Sequence, residues 1–167
     1  MKELLDTIRE ETPVSEAIVG KKKQKENKYP TVKVYNKGEL IEKIGEAIRE
    51  SGYSCSLNHI DVSDIEDMSD LFYNFRDWNG DISDWDPVKC TNMRNMFYGS
   101  AYTGQNGDIS MWDVSNLVFA GRMFYSSKYD GDISKWDLRS LNLRNSPQMI
   151  AGCPLAKNRK HWPKRFR

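Results

Sequence analysis

Gly107-Asp108-Ile109-Ser110-Met111-Trp112-Asp113-Val114-Ser115-Asn116-Leu117-Val118-Phe119-Ala120-Gly121-Arg122-Met123-Phe124-Tyr125 is the stretch that decides the fold reading, because its parts recur along the chain. Gly-Asp-Ile-Ser stands at 80–83, 107–110 and 131–134, and each copy is followed two residues later by a Trp-Asp pair: Trp85-Asp86, Trp112-Asp113 and Trp136-Asp137. The starts lie 27 and 24 residues apart, a spacing expected of one unit in a repeat array.

A second pattern follows each aspartate. Four residues on from Asp61, Asp86 and Asp113 stand Ile65, Cys90 and Leu117. From each of these, apolar residues recur at three, six and seven positions: Met68, Leu71 and Phe72; Met93, Met96 and Phe97; Ala120, Met123 and Phe124. This spacing predicts a two-turn helix in each repeat, with Ser63 and Glu66 as a capping box for the first and Thr91 as a cap for the second. The last copy recovers the stripe only with a two-residue insertion, as Leu143, Met149 and Ile150, and Pro147 interrupts it. The expected fold class is therefore an α/β repeat solenoid: about three leucine-rich-like coils, each a short strand plus a two-turn helix, behind an N-terminal helix and strand cap. Stacking such units would lay Ile82, Ile109 and Ile133 on one another, and Trp85, Trp112 and Trp136 likewise.

At these residues the chain resembles the BspA-like, mycoplasma-lipoprotein type of surface-protein repeat, with the pattern Gly-Asp-Ile-Ser-x-Trp-Asp-Val-Ser-x-Val-x-x-Met-x-x-Met-Phe. The resemblance covers residues 58 to about 155. It implies a branch of the leucine-rich-repeat superfamily and a ligand-binding or adhesin role rather than catalysis. Pro87 departs from the pattern after Asp86 and should weaken strand pairing there, and Phe119 with Gly121 should alter the third helix.

Outside the repeats, Leu4, Leu5 and Ile8 have helical spacing, as do Leu40, Ile41, Ile44 and Ile48, while 31–35 alternates as a strand. These features divide the chain into an N-terminal arm and lysine-rich linker (1–28), an N-terminal cap (29–57), the repeats (58–155) and a basic C-terminal tail (156–167). The 167 residues are 38% hydrophobic and 29% charged, with five Trp, eight Tyr and six Phe. Such a chain has enough apolar surface to form a core.

Net charge is +1, yet 58–138 carries fourteen acidic and six basic side chains, so the excess of cations lies at the ends. The N-terminal stretch holds Glu3, Asp6, Glu10, Glu11 and Glu16 where a secretory signal needs a basic start and an apolar run. Without a signal peptide, the expected location is the cytoplasm of a bacterial host or a phage particle. No membrane association is expected. Cys55, Cys90 and Cys153 have neither disulfide nor zinc spacing and read as reduced, buried thiols.

No enzymatic chemistry is legible. His59 and His161 stand apart from any nucleophile motif, and there is no phosphate-cradling glycine loop. Asp81, Asp108 and Asp132 form a series, one per repeat, but lack the glycine spacing of calcium-binding repeats and read as turn residues. No metal or cofactor is expected.

The function expected is a non-catalytic protein-protein interaction module. One alternative is a structural component of a larger assembly such as a phage particle; another is nucleic-acid binding through the basic ends. Recognition is expected from the segments that differ between repeats, which nominates Trp78, Tyr98, Tyr102, Tyr125, Lys128 and Tyr129 as partner-contacting residues. In the tail, Lys157, Arg159, Lys160, Trp162, Lys164, Arg165 and Arg167 mix cations with aromatics in the manner of phosphate and base contacts.

Overall fold

The computed structural model describes residues 31–166. The arm and linker assigned to 1–28, and Arg167 of the tail, lie outside them. The described chain opens with β1 (Val32–Lys33), continues into α1 (Lys37–Ser51), and returns as β2 (Ile60–Asp61), which pairs with β1 in parallel, Val32 opposite Ile60.

α1 begins where its sequence permits. The Asn36 side chain accepts the Glu39 N–H at 3.0 Å, and the Glu39 carboxylate reaches back to the Tyr35 N–H at 2.8 Å. This reciprocal cap satisfies donors the first turn leaves open. Leu40, Ile44 and Ile48 recur on one face and are buried against the first repeat's Leu57, Ile60 and Val62 in a continuous core. At the far end Gly52, at φ +80°, donates its N–H to the Ile48 carbonyl and stops the helix.

The expected α/β repeat solenoid, with a short strand and a two-turn helix in each coil, is not formed. Among the described residues α1 is the only α-helix, β1 and β2 make the only sheet, and the repeats are built from turns with two isolated bridges, Asp67 to Asn92 and Asn92 to Phe119. The reason is where the backbone donors go. Met93, Asn95 and Phe97 donate their N–H groups to Phe119, Gly121 and Met123 of the next repeat at 2.8, 3.0 and 2.9 Å. Met68, Asp70 and Phe72 do the same to Asn92, Arg94 and Met96, and Arg122, Phe124 and Ser126 to Pro147, Met149 and Ala151. A donor spent on a neighbouring repeat cannot close the bond four residues back that defines a helix. Left-handed backbone at one equivalent position, Asp70, Asn95, Arg122 and Gln148, all with φ between 54° and 56°, interrupts any helix as well.

Carboxylates shape the intervening turns. Asp81, Asp108 and Asp132 each accept the N–H of the serine two residues on, at 2.9, 2.8 and 2.7 Å, and Asp113 and Asp137 do so for Ser115 and Arg139. A short acceptor side chain that captures a nearby N–H stabilises a turn over regular structure. Pro87, expected to weaken a strand, sits buried in one of these turns and accepts the Cys90 N–H through its carbonyl.

The glycines of the recurring tetrapeptide serve close approach rather than a left-handed turn. A Cβ on Gly80 would stand 1.8 Å from the Cys55 carbonyl oxygen, and one on Gly107 would stand 2.0 Å from an Asp81 carboxylate oxygen.

Three columns of rings run through the core. Trp85, Trp112 and Trp136 stack with centroids 6.4 and 6.3 Å apart, and Phe72, Phe97 and Phe124 at 5.1 and 5.4 Å. Trp78, Tyr102 and Tyr129 form the third, at 5.5 and 5.7 Å. The first column is also hydrogen-bonded: the indole N–H groups of Trp85, Trp112 and Trp136 donate to the carbonyls of Leu57, Ile82 and Ile109, one repeat earlier, at 2.9, 3.2 and 2.9 Å. Phe at these sites would bury the ring but lose that bond, each carbonyl keeping the backbone N–H of Ile60, Trp85 or Trp112 as its partner.

The end of the array departs from the expected register. Leu141, four residues after Asp137, is the buried residue equivalent to Leu117, while Leu143 is 48% exposed. The extra residues form a 3-10 turn at Leu143–Asn145 after Leu141. Three further 3-10 turns, Pro154–Lys157, Arg159–His161 and Lys164–Phe166, then fold over the last repeat. There the His161 carbonyl accepts the Ile133 N–H at 3.0 Å, and the Trp162 indole donates to the Leu155 carbonyl at 2.8 Å.

Candidate functional site

The residue after each Leu-Phe or Met-Phe pair is a tyrosine: Tyr73, Tyr98 and Tyr125. The preceding phenylalanine points into the core, so cross-repeat bonding carries the tyrosine to the outer side at the same height in each repeat. Tyr98 and Tyr125 stack face to face with centroids 5.4 Å apart and planes 7° from parallel. Tyr73 is 51% exposed. The Arg76 guanidinium lies 4.3 Å from the Tyr73 ring centre and 5.9 Å from that of Tyr98, linking the two across the repeat boundary. The result is a continuous row, Tyr73, Arg76, Tyr98, Tyr125, that ends where the equivalent position becomes Ala151. Stacked on neighbours, these side chains have lost rotational freedom before any partner arrives.

Of the six residues nominated for partner contact, the structure brings Tyr98 and Tyr125 together and leaves Lys128 exposed nearby in sequence. Trp78, Tyr102 and Tyr129 are corrected: each is fully buried, and together they are the third core column. The Trp78 indole donates to the Cys55 carbonyl at 3.1 Å and the Tyr102 hydroxyl to the Gly107 carbonyl at 3.2 Å. Burial pushes the phenols of Tyr102 and Tyr129 far up, so both stay neutral and internal. Tyr73 and Arg76 were not nominated. The tyrosine following every apolar-Phe pair was a readable signal for the first, while Arg76, which stands four residues after Phe72 as Ala101 and Lys128 stand after Phe97 and Phe124, is tied to the row by its position in space.

The basic tail is part of the fold. Trp162 packs half-buried against the core with the Arg159 guanidinium 5.5 Å from its ring centre. Arg165 donates through Nη1 to the Leu138 and Arg139 carbonyls. Lys157, Arg159, Lys160, Lys164 and Arg165 stay exposed around this end.

At the opposite end, Lys33 sits between Asp61 and Asp64 at 3.1 and 2.9 Å, and Lys89 meets Asp64 at 2.6 Å. These bonds hold the Asp64 carboxyl below its ordinary range, Lys89 contributing most. Burial pushes the Cys90 thiol up to about 11 and raises those of Cys55 and Cys153. Cys90 and Cys153 are buried, as expected of structural thiols, whereas Cys55 is only partly so. Among the described residues no group of three His, Cys, Asp or Glu side chains is placed to hold a metal ion, and no helix is long and apolar enough to cross a membrane.

The recurring ring positions and the outward tyrosine row define a repeat-built protein with one face set apart by an exposed Tyr73 and half-buried Tyr98 and Tyr125. The chain belongs to the family described as Mycoplasma protein of unknown function, DUF285, whose model matches residues 44–162. No curated protein and no solved structure matches it.

Proposed function

We propose that this chain is a non-catalytic protein-protein interaction module of the BspA-like repeat type, and that it contacts its partner through Tyr73, Arg76, Tyr98 and Tyr125. The observation that carries the reading is the row itself: three tyrosines and an arginine, mutually stacked and facing outward. Tyrosine and arginine are the side chains that most often dominate binding energy at protein interfaces, because they present large rigid surfaces with a polar tip. The resemblance to surface-protein repeats supports the same reading. So does the state of the thiols, which burial keeps protonated and therefore poor nucleophiles.

The test uses the chain as bait in extract of its native host. A triple substitution, Tyr73→Ala with Tyr98→Ala and Tyr125→Ala, should lose the captured protein while keeping the melting temperature within a few degrees. Capture that survives the triple substitution would remove the tyrosine row from the interface.

A further inference from the structure

A concavity of about 550 Å³ lies between the last Trp-Asp segment and the C-terminal turn, and its lining is cationic: Lys135, Arg139, Lys164 and Arg165 against the single carboxylate of Asp137. That carboxylate is already engaged, since Arg139 grips it through Nε at 2.9 Å and Nη2 at 2.6 Å. The remaining three cations have no close carboxylate partner among the described residues. Among the described residues Lys164 makes no ion pair, and the Lys135 ammonium lies 3.7 Å from the Met111 sulfur and acts on the Asp132 carboxylate through space. The Arg165 guanidinium is anchored by Nη1 on two backbone carbonyls, which fixes its plane and leaves its other N–H groups for a ligand.

Three positive charges outside any close ion pair with a described residue, gathered around one cleft, favour a compact group of more than one negative charge, and a fixed guanidinium fork matches two oxygens of a phosphate. The buried side chains of Trp136 and Leu138 close the floor of the cleft, whose volume falls in the range of small-molecule sites. A nucleic-acid strand fits less well. The cations are gathered in one recess, and the nearby rings offer no stacking platform: Trp136 is 4% exposed and Arg159 lies over Trp162. From this arrangement we propose that the cleft binds the phosphate group of a small phosphorylated molecule, held by Lys135, Lys164 and Arg165, with the rest of the molecule facing solvent. This site is independent of the tyrosine row.

Isothermal titration of the full chain with phenyl phosphate, inorganic phosphate and benzoate tests the assignment. Phenyl phosphate and inorganic phosphate should each bind saturably, one per chain, with benzoate weaker by roughly tenfold or more. A Lys135→Gln, Lys164→Gln variant, altered only at exposed side chains, should weaken phenyl phosphate by a similar factor at unchanged melting temperature. No saturable binding up to about 10 mM would overturn the proposal. So would benzoate binding as tightly as phenyl phosphate, or affinity unchanged in the double variant.

Discussion

Trp112 shows how one side chain does two jobs at residue scale. Its ring lies between Trp85 and Trp136, and its N–H satisfies the Ile82 carbonyl of the preceding repeat. Trp112→Ala should therefore cost about 3–5 kcal/mol by cavity formation. Trp112→Phe, which keeps most of the apolar volume, should cost about 0.5–1.5 kcal/mol for the lost hydrogen bond, since the Ile82 carbonyl still accepts the Trp85 N–H. Urea unfolding of both variants gives the two numbers: equal costs would mean that the ring's packing contributes nothing, and a phenylalanine variant as stable as the parent would mean that the hydrogen bond contributes nothing. The tryptophan column was legible from the recurrence of Trp-Asp. The Trp78, Tyr102 and Tyr129 column was not, because an insertion around Gly104 places Tyr102 five residues before its Gly-Asp pair, whereas Trp78 and Tyr129 stand two before theirs. Counting forward from Phe72, Phe97 and Phe124 puts all three at five or six residues and recovers the column.

At the scale of elements, the apolar residues at three, six and seven identify the buried side chains correctly while misassigning the backbone. Met68, Leu71, Phe72, Met93, Met96, Phe97, Ala120, Met123 and Phe124 are all buried. Side-chain periodicity reports which residues face inward, and it is blind to whether an N–H bonds within its own segment or to a repeat some 25 residues away. The helix at 37–51 was readable because it carries its own stop and start signals in Asn36, Glu39 and Gly52. The repeats instead hold a left-handed residue where a helix would have none. Arg122, exposed and at φ +55°, tests this directly. Arg122→Gly should be neutral or stabilising, and Arg122→Val should be less stable than the glycine variant by about 1–2 kcal/mol, since a branched Cβ is least tolerated in that conformation. Denaturant midpoints of the pair measure the difference. A helical backbone would reverse the order, because glycine is the poorer helix former.

For the whole molecule, charge and packing divide the labour. Most carboxylates of the repeats serve turns, and their protonation should loosen the array. Burial alone would raise the Asp132 carboxyl, but the Ser134 N–H and hydroxyl and the nearby cations of His161 and Lys135 hold it below 3.8. Asp61 is lowered likewise by Ser63 and Lys33 acting against burial. A folded-state pKa below the unfolded value contributes stability that is present above the unfolded value and is lost as pH falls through the folded one. The melting temperature should accordingly fall as pH drops below about 4, and Asp132→Asn should be less stable than the parent at pH 7 with a smaller further loss in acid. A variant whose acid profile matched the parent's would show that Asp132 contributes no such linkage.

Holding consecutive repeats together through bonds between them, so that the tyrosine row is presented on one rigid face, is the central structural claim, and native-state hydrogen exchange tests it most directly. The amides of Phe72, Met93, Asn95, Phe97, Phe124 and Ser126 donate to the next repeat, so they should be protected to a common free energy near that of global unfolding, and Trp112→Phe should lower that protection in all three repeats together. Fast exchange at these amides, or a loss of protection confined to the repeat that holds Trp112, would contradict it.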